Sequence, residues 1–385
     1  MTRTPINLDQ NATTPLDPSV LEAMRPHWLA AGNAESRHAA GRSARRSWDA
    51  AVGLVAEILG AGPADVVFTS GGTEANNLAM FGLVGSIGGR ALISPIEHPA
   101  VAEAAAELGR AGLTVDLAGV GPDGLVDAAA MAGMIGPETR LAALMLANNE
   151  TGAIQPVAEL ARMAAERGVP VHTDAVQAVG RIPVQFKELG VATLAASGHK
   201  FHGPAGVGVL LIRPGVTLPP RLFGGGQQKG RRPGTAPVAL AVGLAEALRL
   251  WHTSRLERIE RWTRLRDRLE AGLVELLGPA MAIRNGPRDN RLRLPQTLNV
   301  GFPGLDGESL LMQLDLAGVA ASLGSACASG SLRPSPVLVA MGVPTDRLKS
   351  SVRFSLGATT TEGEVDDAMM RIVAVVRRLA PLAEG

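Results

Sequence analysis

Lysine occurs only at Lys187, Lys200, Lys229 and Lys349, and Lys200 alone closes a polar, glycine-flanked turn, Ser197-Gly198-His199-Lys200, between two apolar runs. An amine in that setting suits covalent chemistry with an aldehyde; the alternative is a solvated loop lysine. Earlier in the chain, His172-Thr173-Asp174-Ala175-Val176-Gln177 follows the apolar edge of a strand. Asp174 is thereby placed near the carboxyl end of a sheet, where open α/β folds bind ligands, either to hold a ring nitrogen protonated or to cap a helix. Cys327 is the one thiol of the chain, in the small-residue run Ser325-Ala326-Cys327-Ala328-Ser329-Gly330. A single cysteine cannot form an internal disulfide or a multi-cysteine metal site, so it is either a buried small residue or an accessible nucleophile.

Gly71-Gly72-Thr73 stands directly after a strand and opens a helix, a junction whose exposed N–H groups and positive dipole end suit a phosphate. Such a turn is also found where no anion binds, and Thr73 reads as phosphate ligand, helix N-cap or both. His98 follows the strand RALISP, as a ring-stacking or proton-shuttling group or as an ordinary loop histidine. Arg353 alternates with apolar residues in Val352-Arg353-Phe354-Ser355, as an exposed face residue or a buried carboxylate clamp. His199 and His202 do not read as a metal pair, because no third ligand stands near them and Gly203-Pro204 opposes a helix. In this order and spacing, Lys200 and Asp174 together with the glycine turn point to pyridoxal 5'-phosphate (PLP) as cofactor.

These residues need a scaffold, and the pattern supplies one. Short Val/Leu/Ala-rich runs alternate with helical patterns from about 65 to 213: DVVFTS, RALISP, LTVDLAG, LAALMLA, VPVHTDA, ATLAASG and GVGVLLIR. That alternation predicts an α/β domain on a mainly parallel seven-stranded sheet, with crossover helices such as 157–167, where Val157, Leu160, Ala161 and Ala164 recur at helical spacing. Two further helical patterns cover 236–252 and 254–277, the second with Leu256, Ile259, Trp262, Leu265 and Leu269 on one face, a bridge to a second unit. Beyond Gly278 the texture becomes that of a smaller α+β domain ending in a helix over 362–379. We divide the chain into a large domain, 16–256, and a small one, 257–385, which also takes residues 1–15 and carries the Cys327 loop.

A hydrophobic fraction of 46% supports large cores, and the net charge of +1 gives no electrostatic reason to expect nucleic acid or an anionic membrane as partner. No apolar run approaches a membrane span and no basic-then-apolar leader is visible, so a soluble, cytoplasmic protein acting on a small molecule is expected.

Taken together, LDQNATTP, FTSGGTEANN, IEHPAV, NNETGAIQP, HTDAVQAVG, SGHKFHGPAGVG, GGGQQKGRRPGT, GSACASGS and VRFSLG resemble, in order and over nearly the whole chain, the motif set of the NifS/IscS-type cysteine desulfurases. The resemblance implies a PLP-dependent transferase of fold type I, homodimeric, that removes sulfur from L-cysteine and carries it as a persulfide. It implies that Lys200 binds PLP, that Asp174 partners its ring nitrogen and Gln177 its phenolic oxygen, and that His98 stacks on the ring. Gly72, Thr73, Ser197 and His199 match the phosphate site, and Thr235 matches a residue that reaches the phosphate of the neighbouring subunit. Asn149 and Arg353 match the groups that orient the substrate and its carboxylate, Cys327 the sulfur acceptor, with His98 as proton relay. The sulfur would pass to an acceptor such as an iron–sulfur scaffold or a sulfur-relay protein. The chain departs from the family at Asn33-Ala34-Glu35-Ser36 and at Pro233, Ala236 and Pro237, which leaves substrate preference and the Thr235 loop open. A selenocysteine lyase, another fold type I PLP enzyme and a non-catalytic sulfur-relay protein are the competing readings.

Overall fold

The computed structural model describes residues 4–85, 88–324 and 334–380. In chain order the strands are β1 (Ile6–Asn7), β2 (Val66–Thr69), β3 (Arg90–Ile93), β4 (Thr114–Leu117), β5 (Thr139–Ala143), β6 (Val171–Asp174), β7 (Thr193–Ser197), β8 (Gly208–Ile212), β9 (Ile283–Arg284), β10 (Thr297–Gly301), β11 (Val319–Ala320) and β12 (Ser351–Ser355). The helices are α1 (Pro18–Leu29), α2 (Ala39–Ile58), α3 (Gly72–Val84), α4 (Pro99–Arg110), α5 (Ala128–Gly133), α6 (Val157–Ala165), α7 (Phe186–Leu189), α8 (Val238–Leu277), α9 (Gly307–Leu316), α10 (Pro336–Ala340), α11 (Thr345–Leu348) and α12 (Glu362–Leu379).

Each of the seven apolar runs from 65 to 213 forms a strand of one seven-stranded sheet, in the order β2-β8-β7-β6-β5-β3-β4. Pairings from β7 through β4 are parallel, and β8 alone is reversed, antiparallel to both β2 and β7. Strands β5 to β8 are buried almost throughout, which is why they read as continuous apolar runs instead of alternating ones. Helix α6 buries Val157, Leu160, Ala161 and Ala164, the face its spacing predicts. Gly208 at the start of β8 is required by close approach: a Cβ there would stand 2.6 Å from the Gly71 carbonyl carbon and 2.7 Å from the Ala196 oxygen. The turn ahead of α3 can therefore lie directly against the sheet.

The two helical patterns at 236–252 and 254–277 are one 40-residue helix, α8. Thr253 and Ser254 at the junction do not break it, because their hydroxyls bond the carbonyls of Arg249 and Leu250 one turn back, each at 2.9 Å. Leu244, Leu248 and Trp251 on its first half join the core around the large sheet, whereas Trp262, Leu265, Leu269 and Leu273 join a second core. Leu256 falls between the two cores and is 73% exposed, so it does not belong to the apolar face assigned to it from spacing.

That second core packs α8, α9 and α12 on a three-stranded antiparallel sheet, β12-β10-β9, and on the parallel pair β1-β11, through which Ile6 and Leu8 enter it. Helix α12 starts at a capping box in which Thr361 and Glu364 satisfy each other's backbone N–H groups, worth about 1 kcal/mol. No described helix is long and apolar enough to cross a membrane.

Candidate active site

A cavity of about 220 Å³ opens where the carboxyl ends of the parallel strands meet the first turn of α3, the place an open α/β sheet offers a ligand. Strand β6 ends in Asp174 and runs into Val176 and Gln177. Strand β7 delivers Ser197, His199 and Lys200. The segments after β3 and β5 bring His98, Met145 and Asn149, and α3 brings Gly72, Thr73 and Asn76. Nine of the residues singled out from sequence, Gly72, Thr73, His98, Asn149, Asp174, Gln177, Ser197, His199 and Lys200, thus line one pocket.

Lys200 Nζ donates to the carbonyl oxygens of Asn11 (2.8 Å) and Ala12 (2.9 Å), so the N-terminal segment forms one side of the site. Gln177 Nε2 also donates to the Asn11 carbonyl, at 3.0 Å, while its buried Oε1 has no partner among the described residues. Asp174 is 4% exposed. Its Oδ1 accepts from the Val176 N–H at 2.9 Å and its Oδ2 from Asn76 Nδ2 at 2.6 Å. No regular helix follows, which removes the helix-cap reading.

Behind Asp174 runs a buried chain of donors. A carboxylate only accepts, so Asn76 must present Nδ2 to Asp174 and Oδ1 to His172 Nε2, 3.0 Å away. His172 Nε2 therefore donates, and its Nδ1 accepts from Thr193 Oγ1 at 2.9 Å. Burial pushes His172 down to about 3, consistent with this neutral tautomer.

Helix α3 is N-capped by Gly71 without a side-chain bond, so Thr73 lies inside the first turn with its side chain exposed and is not the cap. His98 is half-buried and caps α4, its Nδ1 accepting from the Ala100 N–H at 3.1 Å. Burial lowers its pKa, Asp174 opposes that and Lys200 adds to it. His199, bonded through Nδ1 to Thr13 Oγ1 at 3.1 Å, is pushed down to about 4 by burial and by Lys200. His202 turns away at a φ of 66°, its Nδ1 against the Pro15 carbonyl and its Nε2 accepting from the Ala358 N–H.

Arg353 does not line the cavity but borders it through Asn149. It is 2% exposed, which excludes the surface-residue reading. One guanidinium nitrogen meets Asp9 Oδ1 at 2.6 Å and another the Asn149 carbonyl at 3.0 Å. Thr235 is exposed on the loop before α8 and is not among the lining residues. That loop is fastened to the sheet and to α3: the Gln228 amide pairs with both backbone groups of Phe68, and Arg232 pairs with Glu74 at 2.9 Å. Cys327 lies outside the described residues.

Sequence reasoning assigned no role to Asp9, Asn11, Asn76, Glu97 or His172. Asn11 and Asp9 lie in LDQNATTP and Asn76 in FTSGGTEANN, but only the fold reveals that Asn76 lines the site, that the Asn11 carbonyl meets Lys200 and Gln177, and that Asp9 pairs with Arg353. Glu97 is fully buried; its Oε1 accepts from Ser94 Oγ (2.6 Å) and the Met145 N–H (2.8 Å), its Oε2 has no partner among the described residues, and burial pushes it up to about 7.

Residues 6–367 match the family model for aminotransferase class-V. The chain is 40% identical to the "Cysteine desulfurase IscS" of Dictyoglomus turgidum, over 98% of this chain and 96% of that one. Among solved structures it superposes on a "NIFS-LIKE PROTEIN" with a TM-score of 0.90 at 34% identity, covering 98% of this chain and all of the other. It also superposes on "SspA in complex with cysteine" with a TM-score of 0.79 at 30% identity, covering 92% and 99%. With matches that span nearly the whole chain and a pocket built from its own motif residues, the chain belongs to the aminotransferase class-V family, among its NifS/IscS-type cysteine desulfurases.

Proposed function

We propose that this protein is a PLP-dependent cysteine desulfurase that converts L-cysteine to L-alanine and holds the sulfur as a persulfide on Cys327. The observation that carries the reading is the convergence of Lys200, Asp174 and the first turn of α3 on one cavity. The residues fit PLP: an amine for its aldehyde, a carboxylate at the end of β6 for its ring nitrogen, and free N–H groups at Gly72 and Thr73 for its phosphate, with Ser197 and His199 beside them. Gln177 adds a buried amide whose Oε1 awaits a polar partner, and His98 supplies a ring at the pocket wall. When bound, PLP supplies an electron sink for a carbanion at the substrate α-carbon.

The remaining work falls to the chain. Lys200 is the base that moves the α-proton, and Asp174 keeps the ring nitrogen protonated. Arg353 and Asn149 orient the substrate carboxylate. His98, at the pocket wall, is the group assigned to relay the thiol proton so that Cys327 attacks as thiolate. Summed over the reaction, the Cβ–S bond of L-cysteine breaks, an S–S bond forms on Cys327 Sγ, and the hydrogen the thiol gives up is balanced by the one gained at Cβ of alanine. No outside oxidant is needed to load the sulfur.

The same reading makes the protein a homodimer in which Thr235 reaches the partner's phosphate site, and assigns delivery of the sulfur to an acceptor protein such as an iron–sulfur scaffold or a relay protein. The domain boundary at 256/257, with residues 1–15 in the smaller unit, is supported by the handover of α8 from one core to the other and by Ile6 and Leu8 in the second core.

The test is release of alanine and sulfide from L-cysteine with a reductant present, for the wild type and Cys327→Ala, with the visible cofactor band recorded. Equimolar products that vanish in the variant while the band persists support the proposal. A cofactor band without Cys327-dependent turnover, or turnover of selenocysteine alone, overturns it.

A further inference from the structure

Helix α3 opens with two residues assigned to an anion and a third that is itself an anion. Gly72 and Thr73 line the cavity, and the next residue, Glu74, is the one acidic residue of the first turn. A carboxylate at this third position ordinarily stabilises a helix start, because it answers the same N–H groups and positive dipole end that a phosphate would use. Here its Oε2 accepts from the Ser70 N–H at 2.6 Å. Ser70 and Gly72 are two residues apart, so chain length keeps that oxygen within about 10 Å of the Gly72 nitrogen, about one screening length in ordinary buffer. A phosphate held by Gly72 would feel its repulsion. Arg232 removes the conflict. It arrives from the loop before α8 and grips Glu74 at two points, Nε to Oε1 at 2.9 Å and Nη2 to Oε2 at 3.3 Å. Both side chains are only about one-fifth exposed. Burial opposes ionisation of Glu74, but the bonds from Arg232 and Ser70 outweigh it and hold its pKa below the ordinary carboxylate value. The pair is thus ionised, and neutral as a whole.

We propose that Arg232 is a positioning residue for the cofactor phosphate: by neutralising Glu74 it leaves the positive end of α3 to the phosphate, without being a phosphate ligand itself. This rests on the PLP reading of the pocket. Neither Arg232 nor Glu74 lines the cavity, so each acts on the phosphate through its charge. The competing role for the ion pair is to fasten the loop that carries Thr235. That loop has other fastenings: the Gln228 amide on both backbone groups of Phe68, Arg231 Nη1 on the Ala64 carbonyl at 3.0 Å, and the Gly234 N–H on Gln227 Oε1 at 3.1 Å. The two roles also predict different signs. Breaking the pair from either side releases the loop equally. By contrast, Arg232→Gln leaves an uncompensated negative charge near the phosphate, and Glu74→Gln leaves an uncompensated positive one.

The experiment uses the full chain freed of cofactor, as wild type, Arg232→Gln, Glu74→Gln and the double variant. Glu74→Gln keeps an acceptor oxygen for the Ser70 N–H, so the helix start is preserved. Each protein is titrated with PLP and with pyridoxal, which lacks the phosphate, and binding is read from growth of the visible cofactor band. The expected result is a PLP Kd weaker by about fivefold or more in Arg232→Gln, equal to or tighter than wild type in Glu74→Gln, and within about twofold of wild type in the double variant. The pyridoxal Kd should stay the same in all four, and the loss in Arg232→Gln should shrink as salt is raised. Weaker PLP binding in both single variants, a double variant as weak as Arg232→Gln, a matching loss for pyridoxal, or an Arg232→Gln that binds PLP like the wild type overturns the proposal. A wild type that forms no band with PLP overturns the PLP reading instead, so the two failures are distinguishable.

Discussion

Asn76 and Asp174 share a 2.6 Å hydrogen bond that ties the pocket's carboxylate to the interior of the sheet. Asn76 is 1% exposed and its other amide atom is bonded to His172, itself fully buried, so neither end of the link is free to turn. Asn76→Ala strands the His172 Nε2–H and takes one donor from Asp174. An unfolding free energy lower by about 1–3 kcal/mol is expected, because a buried donor is left unmet. Cofactor retained through gel filtration should fall as well. Wild-type stability and full retention in the variant would mean that Asp174 is held by Val176 alone.

The tautomer of His172 has a pH signature. Its pKa is about 3 in the folded protein against an ordinary 6.5. The folded state therefore binds fewer protons than the unfolded one between those values, and stability from this group is present above pH 6.5 and lost as pH falls toward 3. The slope in that window is about 1.4 kcal/mol per pH unit. Thermal denaturation of His172→Gln across pH 4–7 should be flatter than that of the wild type.

Glu97 runs the other way. Burial raises it from 4.5 to about 7, so its contribution is greatest below pH 4.5 and is lost as pH rises through 7. Ionising it costs about 3 kcal/mol, and the carboxylate formed would have Oε2 unmet. Glu97→Gln should gain in Tm over the wild type at pH 8.5 and gain little or nothing at pH 5. In the wild type this loss overlaps the His172 gain between pH 4.5 and 6.5, so the single variants reveal trends that partly cancel. Equal gains at both pH values would show that Glu97 is ionised throughout.

Four of the residues that line the pocket were legible in the sequence from strong local signals, Asp174 and Lys200 at the ends of apolar runs and Gly72 and Thr73 at a glycine-opened helix, whereas Gln177, Asn149 and Ser197 came only with the family resemblance and Asn76 not at all. The sheet was legible for the same reason, since β5 to β8 are buried on both faces and cannot alternate. What stayed hidden depends on contacts between distant segments. Nothing near Asn11 predicts that its carbonyl meets Lys200, and nothing near Glu150 predicts Ser335, 185 residues on. The two helical patterns at 236–252 and 254–277 are one helix because the Thr253 and Ser254 hydroxyls at their junction are satisfied by carbonyls of the same helix, which spacing alone does not reveal.

Lys200 Nζ donates to two backbone carbonyls, of Asn11 and Ala12. Arginine at this position keeps donors but, always protonated, cannot form a covalent link to an aldehyde or take a proton. Lys200→Arg should fold with wild-type stability within about 1 kcal/mol and show no alanine formation. Turnover in Lys200→Arg, measured against a cofactor-free blank, would remove Lys200 from its proposed role.

Arg353 is the group whose role the fold leaves with two separable parts. Its bond to Asp9 makes it a brace between the N-terminal segment and β12, and its bond to the Asn149 carbonyl ties it to a residue that lines the site. Asp9→Ala leaves a buried guanidinium without its carboxylate and should cost about 3 kcal/mol of stability, whatever Arg353 does for substrate. Arg353→Lys keeps a cation beside Asp9 but loses the planar fork that grips a carboxylate at two points. If Arg353 orients the substrate, its KM for L-cysteine should rise about tenfold or more with the cofactor band intact. A KM that stays put while stability falls would make Arg353 a brace only, and the substrate carboxylate would then have to be held by other residues, Asn149 among them.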